Sequence, residues 1–153
     1  MFRLILPVAI CIAQSANAQS GTQCALTEDN ENCNRVVACV GTDGLWFNGR
    51  AFGRGTGTFA GSMSNGVSCD GTWVSRNAFG LGEADVSCDD GMTGKVLYTY
   101  QDPYTGTAVG RGLTSDGRPI QIWSGNNVLR YLREDTGKPV AMLPCAAGAI
   151  PMS

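Results

Sequence analysis

Glu83, Asp85, Asp89 and Asp90 crowd into one short stretch, and they are the first place to look for chemistry. Glu83 and Asp85 are two residues apart, so on an extended segment they share a face. Asp89-Asp90-Gly91 follows as a turn. Such a group could ligate calcium, or supply an acid and a base for glycoside hydrolysis. The commoner use is as solvated turn acids, and no complete calcium loop surrounds them. Other chemistries are closed off by composition. The chain has no histidine, which removes Ser-His-Asp and Cys-His arrangements. Lys95 falls in a strand candidate and Lys138 in a turn, neither beside a distinctive serine motif. Gly91-Met92-Thr93-Gly94-Lys95 is too short for a phosphate loop, and a valine follows the lysine. The Gly-x-Gly runs at 53–57, 80–82 and 110–112 open no helix, so they read as hairpin glycines and not as nucleotide cradles. The expectation is a protein without catalytic residues, metal or cofactor.

Cysteine supplies the second kind of chemistry. Arg3, the short apolar run Leu4 to Ala13 and Ala16-Asn17-Ala18 form the charge, core and small-x-small series of a signal peptide, residues 1–18, cleaved before Gln19. The alternative is a buried N-terminal helix. Of seven cysteines, Cys11 falls in that segment, leaving Cys24, Cys33, Cys39, Cys69, Cys88 and Cys145. An even set in an exported chain reads as a disulfide framework. A zinc site is disfavoured, because no Cys-x-x-Cys pair and no histidine exist. A hairpin closing through Arg76 to Gly80 can be registered so that Cys69 faces Cys88, Gly71 faces Val86 and Trp73 faces Ala84. That register bonds Cys69 to Cys88. The remaining four cysteines pair in one of three ways, of which Cys24–Cys33 with Cys39–Cys145 is preferred.

The elements that position these groups are short strands between turns. Glycine accounts for 21 of 153 residues, and Gly, Ser, Thr, Asn and Asp separate short apolar segments. Residues 19–42 read as an N-terminal segment tethered by disulfides, with Arg35 to Val40 as a first strand candidate. From 43 to 125 the chain repeats. Leu45-Trp46-Phe47 is a strand and Asn48-Gly49 a turn signal. Asn65-Gly66, Asp90-Gly91 and Asp116-Gly117 are further turns, and 101–106 is a loop built on proline and glycine. Trp73, Tyr98 and Trp123 recur every 25 residues, and Gly57 and Gly66 recur as Gly82 and Gly91. A fixed period of this kind marks a repeated supersecondary unit. Residues 126–153 hold a helix or strand over Val128 to Glu134, which Asn127 could cap, and a tail tied back by Cys145.

These residues resemble MORN repeats. Gly66, Cys69, Gly71 and Trp73 take the turn, aromatic, glycine and tryptophan positions, with Gly80 and Gly82 following. Asp90-Gly91 opens a unit in which Tyr98 stands for tryptophan, and Asp116-Gly117 opens one closing on Trp123 and Gly125. The unit is about two residues longer than the family's, and Cys69 replaces an aromatic. The resemblance implies an all-β antiparallel meander of hairpins, a single-layer or curled sheet with a binding face, and no catalytic residues. Independently, glycines between strands let backbones approach, and an aromatic fills the space above them. Core packing is then the ordinary use of Trp73, Tyr98 and Trp123, and a ligand-stacking face is the other.

A formal net charge of −2 without a basic cluster excludes nucleic acid as a partner. No stretch is long and apolar enough to span a bilayer as a helix. The sequence therefore points to a periplasmic or secreted, non-enzymatic protein that binds a protein or glycan or serves as an envelope component. A small inhibitor that blocks a lysozyme or protease by inserting a loop is the alternative. The candidate contact residues are Arg76 and Phe79 in the loop 76–80 and Asp102 and Tyr104 in the loop 101–106.

Overall fold

The structure, a computed structural model, describes residues 33–134 and 142–151. The expected signal peptide and Cys24 lie outside the described residues. Eight antiparallel strands follow one another: β1 (Cys33–Val40), β2 (Leu45–Arg54), β3 (Thr56–Met63), β4 (Ser68–Val74), β5 (Gly82–Cys88), β6 (Thr93–Gln101), β7 (Ala108–Thr114) and β8 (Pro119–Gly125). Each pairs with the next, as a meander does. However, β1 also pairs with β8, from Arg35 opposite Gly125 to Val40 opposite Ile120, and the sheet closes into a barrel. An open or curled single-layer sheet is therefore not what forms. The barrel also begins at Cys33, ten residues before the expected repeat at Asp43, because β1 is the strand that closes it.

Closure explains the pattern of residues inside. Inward positions carry Val36, Ala38, Val40, Phe47, Phe59, Met63, Cys69, Ala84, Val96, Ile120 and Ile122, which form one buried cluster. The lumen of an eight-stranded barrel holds only so many side chains, so large residues need small neighbours. A Cβ on Gly71 would lie 2.6 Å from the Phe59 ring, and one on Gly110 would lie 3.0 Å from Tyr98 Cδ1. The aromatics thus lie over glycines of the neighbouring strands, as the sequence implied. The Phe47 and Phe59 rings meet edge to face at 6.1 Å. Asn48-Gly49, expected as a turn, instead lies within β2. Gly49 faces inward beside the Phe47 ring, and the reversal comes at Gly55, with φ +75°.

The 25-residue period has a structural cause and a structural limit. At one end of the barrel three turns share a hydrogen-bond pattern: Gly66 N–H donates to Met63 O, Gly91 N–H to Cys88 O and Gly117 N–H to Thr114 O. All three glycines have φ between +84° and +89°. Trp73 and Tyr98 both point inward, but Trp123 points outward. The β4–β5 hairpin pairs an odd-numbered residue with an even one, Trp73 with Ala84. The β6–β7 hairpin pairs even with even, Tyr98 with Gly110, and a bulge shifts its register only beyond Tyr98. An odd period therefore carries Trp73 to an inward Tyr98, and Tyr98 to an outward Trp123.

Trp123 is core, but in a second cluster. The helix α1 (Val128–Glu134) and the hairpin of β9 (Met142–Cys145) and β10 (Gly148–Pro151) cover the outer face of β1. Val128, Leu132, Leu143 and Ile150 pack there with Val37, and Trp46 and Trp123 join them. Strand β1 is thus apolar on both faces, which is why it reads as a continuous run and not as an alternation. Of the helix and strand that the sequence left open over 128–134, the helix forms, with Tyr131 N–H donating to the Asn127 carbonyl. Its cap differs: the Asn127 amide donates to Thr105 O at 3.2 Å. Among the described residues, no helix is long and apolar enough to cross a membrane.

Two disulfides fasten this frame. Cys69–Cys88 joins directly opposed residues of β4 and β5, Cα–Cα 4.0 Å, in the register read from the sequence. Cys39–Cys145 ties β1 to β9 across 106 residues. Cys33 is also disulfide-bonded, and its expected partner Cys24 lies outside the described residues. In the chain-entropy picture, replacing both Cys39 and Cys145 by serine costs about 4–5 kcal/mol, and replacing both Cys69 and Cys88 about 3 kcal/mol. Denaturant unfolding of the two double variants checks the order. A smaller loss for the 39–145 pair would show that the outer cover contributes little to the barrel.

Candidate functional site

The barrel is filled at one end and hollow at the other. Toward the 64–67, 89–92 and 115–118 turns, Met63, Phe47, Met92 and Ile120 pack so closely that only about 40 Å³ of space remains. Toward the opposite end the inward residues are small: Ala51, Gly53, Gly82, Ala108 and Ser124. The result is an open cavity of about 660 Å³. Its floor and walls are Phe59, Val36, Ile122, Trp73 and Tyr98, and its rim carries Asn34, Arg54, Ser75, Arg76, Gln101 and Asn127.

The two cavity aromatics are fixed by hydrogen bonds. Trp73 Nε1 donates to Phe52 O at 3.1 Å, across the glycine-lined β3. The Tyr98 hydroxyl bonds to the side chain of Ser124, reaching past Gly110 two strands away. Burial pushes the Tyr98 phenol above its ordinary range, and the Ser124 bond opposes that shift. The ring therefore stays neutral, a donor and acceptor at the edge of an apolar wall.

The loops predicted as contact surfaces both hang from this mouth. In the β4–β5 loop, Asn77 Oδ1 accepts from Phe79 N–H at 2.9 Å and Leu81 N–H at 3.1 Å. Asn77 Nδ2 donates to Glu83 Oε2 at 2.9 Å. That clasp presents Phe79, 89% exposed, beside Arg76. In the β6–β7 loop, Tyr104 is 81% exposed. Asp102, in the same loop, is turned inward and not toward a partner. It is buried, and its Oδ2 accepts from both the backbone N–H and the hydroxyl of Thr105, each at 2.7 Å. An aspartate ahead of a turn satisfies that loop's own donors, which is the reading that Pro103 and Gly106 could have suggested.

The acidic group divides: Asp89 and Asp90 are exposed in the β5–β6 turn, the commoner use read from the sequence, while Glu83 and Asp85 pair with a lysine. Glu83 and Asp85 lie on the outer wall, with Lys95 between them; its Nζ is 2.8 Å from Asp85 Oδ1 and closer still to Glu83 Oε1. Hydrogen bonding to Lys95 holds the Glu83 carboxyl below its ordinary range, and bonding to Asp85 raises Lys95. These carboxylates are neutralised by a cation, and no group of potential ligands that could hold a metal occurs among the described residues. The outer wall also carries the exposed charged residues Asp70 and Arg111.

Comparison with protein families finds no match, and comparison with curated proteins finds none either. Among solved structures the chain is similar to a redesigned β-barrel, mFAP0, bound to DFHBI. The identity is 15% and the TM-score 0.48, over 61% of this chain and 95% of that one. It is also similar to a de novo designed fluorescence-activating β-barrel, at 18% identity and TM-score 0.49, over 62% of this chain and 91% of that one.

The Asp102 clasp has a pH signature. The Thr105 hydroxyl bond leads the interactions that hold its carboxyl below the usual range. A depressed folded pKa means stability that is present above the unfolded value, about 3.9, and lost as pH falls through the folded one. Asp102→Asn therefore lowers Tm at neutral pH, and the gap to the wild type closes below about pH 4. Thermal melts across the acid range check this. A gap that stays constant into strong acid would show that the carboxylate charge is not what holds the loop.

Proposed function

We propose that this chain is an exported, non-enzymatic binding protein that takes a small ligand into the mouth of its barrel. The observation that carries this reading is the open cavity of about 660 Å³, walled by Trp73, Tyr98 and Phe59 and rimmed by polar side chains. Small-molecule sites are concave, mostly apolar spaces of roughly 300–1,000 Å³ with a few placed polar groups. An oxidising, exported setting is supported by two disulfides that bind strand to strand and barrel to cover. Binding without turnover is supported by a cavity whose lining, among the described residues, includes neither a carboxylate nor a thiol. Thermal-shift and native-mass measurements on the oxidised protein test the reading. Small amphipathic compounds should raise Tm and add one equivalent of mass, and Ala108→Phe, which fills the mouth, should abolish both. Uptake that is unchanged in the filled variant would place the ligand elsewhere.

A second reading is favoured by the rim and not by the cavity. Phe79 and Tyr104 stand almost fully exposed on two braced loops at one end of the barrel. Exposed aromatics on rigid loops suit insertion into a partner's cleft. On this reading the chain inhibits a lysozyme or protease, forming a one-to-one complex. Combining Phe79→Ala with Tyr104→Ala should then weaken that complex by at least about a hundredfold, the scale of two anchor residues, while leaving Tm nearly unchanged. Size-exclusion of mixtures with representative hydrolases is the check, and the absence of any complex removes this reading but not the first.

A further inference from the structure

We infer that the cavity is an aromatic clamp, which takes a flat aromatic ring system between the rings of Trp73 and Tyr98 in preference to an aliphatic chain or a puckered ring. This rests on the reading of the mouth as a small-ligand site and adds the chemical class of the ligand.

The first observation is where the two rings lie. Trp73 stands on β4 and reaches across β3 to β2, where its Nε1 donates to Phe52 O at 3.1 Å. It crosses β3 at Gly57, where a Cβ would lie 2.9 Å from that nitrogen. Tyr98 stands on β6 and reaches the other way, across β7 to Ser124 on β8. It crosses β7 at Gly110, where a Cβ would lie 3.0 Å from Tyr98 Cδ1. The barrel closes in the order β1 to β8, so β3 and β7 stand four strands apart and face each other across the lumen. The two rings therefore cover opposite walls of one cavity, and both line it.

The second observation is what the rings present and how far apart they stand. Each has its polar atom engaged by the wall, the indole N–H by the Phe52 carbonyl and the phenol hydroxyl by Ser124. What remains for a ligand is ring carbon and its π electrons. An eight-stranded barrel, with strands about 4.8 Å apart and tilted by about 40°, is about 16 Å across. A ring packed on each wall takes up about 4 Å, which leaves about 8 Å between the two rings. One flat ring system in contact on both sides needs about 7 Å, and two stacked ones need about 10.5 Å. The slot therefore suits a single flat layer. Its ends are the other opposed pair of strands, β5 and β1, which bring Gly82 and Val36 to the cavity. A puckered ring is thicker than the slot allows and offers the π faces no ring in return.

The test uses naphthol and its fully saturated counterpart decalol, which share one fused-ring skeleton and one hydroxyl. Decalol has the larger apolar surface, so burial alone favours it. With oxidised wild-type protein, naphthol should instead bind about tenfold more tightly, the scale of contact with two rings. Trp73→Leu and Tyr98→Leu, each of which keeps an apolar side chain but removes a ring face, should each erase most of that preference. Thermal melts confirm that the variants are folded. Nuclear Overhauser contacts from bound naphthol to both the Trp73 and the Tyr98 rings are expected in the wild type, a readout that needs no variant. Equal binding of the two compounds, a preference that survives both leucine variants, or bound naphthol touching only one of the rings overturns the clamp and leaves the cavity reading standing. Binding of neither compound at about 1 mM also overturns the clamp, and the cavity reading is then decided by the filled-mouth variant Ala108→Phe.

Discussion

The pairing of β1 with β8 is the constraint on which the rest of this molecule depends. Six successive residue pairs, Arg35–Gly125 to Val40–Ile120, turn a sheet with two exposed edges into a barrel with none. Once the wall is closed, the number of side chains the lumen can hold is set. Aromatic residues such as Phe59 and Tyr98 can enter only where a neighbouring strand presents a glycine, Gly71 or Gly110. The closing strand must also be protected from outside, because its ladder is what keeps the barrel shut. Helix α1, the β9–β10 hairpin and the Cys39–Cys145 bond all converge on that strand.

Closure also divides the barrel along its axis. The tight turns that end on Gly66, Gly91 and Gly117 draw strands together at one end, and Met63, Met92 and Phe47 fill the space they leave. At the other end the β2–β3 reversal is one residue, Gly55, but the β4–β5 and β6–β7 connections are longer, and side chains brace them: Asn77 in the first and Asp102 in the second. A loop whose own polar groups are satisfied loses little further freedom when something binds beside it. The mouth is therefore both open and pre-shaped.

Much of this was legible from local sequence, and what was not legible is non-local. The β4–β5 register and the Cys69–Cys88 bond follow from one hairpin and its loop length, so a reading of residues 69–88 suffices. The turn glycines are likewise local signals, whereas 128–134 reads as helix or strand until its packing over β1 selects the helix. Closure is not, because nothing in Arg35 to Val40 says which two strands flank it; the continuous apolar run says only that both faces are buried. Spacing alone groups Trp123 with Trp73, and the even register of β6 with β7 turns it to the other face. The Asn48-Gly49 pair looks like a turn because Asn-Gly often is one; here the lumen needed the glycine under Phe47. The cavity was the least legible feature. It is made by Ala51, Gly82, Ala108 and Ser124 on four different strands, and smallness at each position carries no signal until closure aligns them.

A hollow upper half has an energetic consequence that the covalent frame answers. Side chains lining an empty space lack dispersion partners on one side, and a barrel that leaves about 660 Å³ open forgoes packing that a filled lumen would supply. Widening the aromatics to fill it would restore that packing and close the mouth. The chain instead keeps small residues at the rim and places stability where it does not obstruct: in the packed lower lumen, in the outer cluster around Val37 and Ile150, and in disulfides that act on the unfolded chain. Cys69–Cys88 within the lower cluster and Cys39–Cys145 beneath the outer cover both lie away from the mouth, whereas the bonded Cys33 stands beside the rim residue Asn34 and fastens the end of β1 there. The hollow half is thus braced at its edge and filled from outside, and its lining residues need not hold the barrel together.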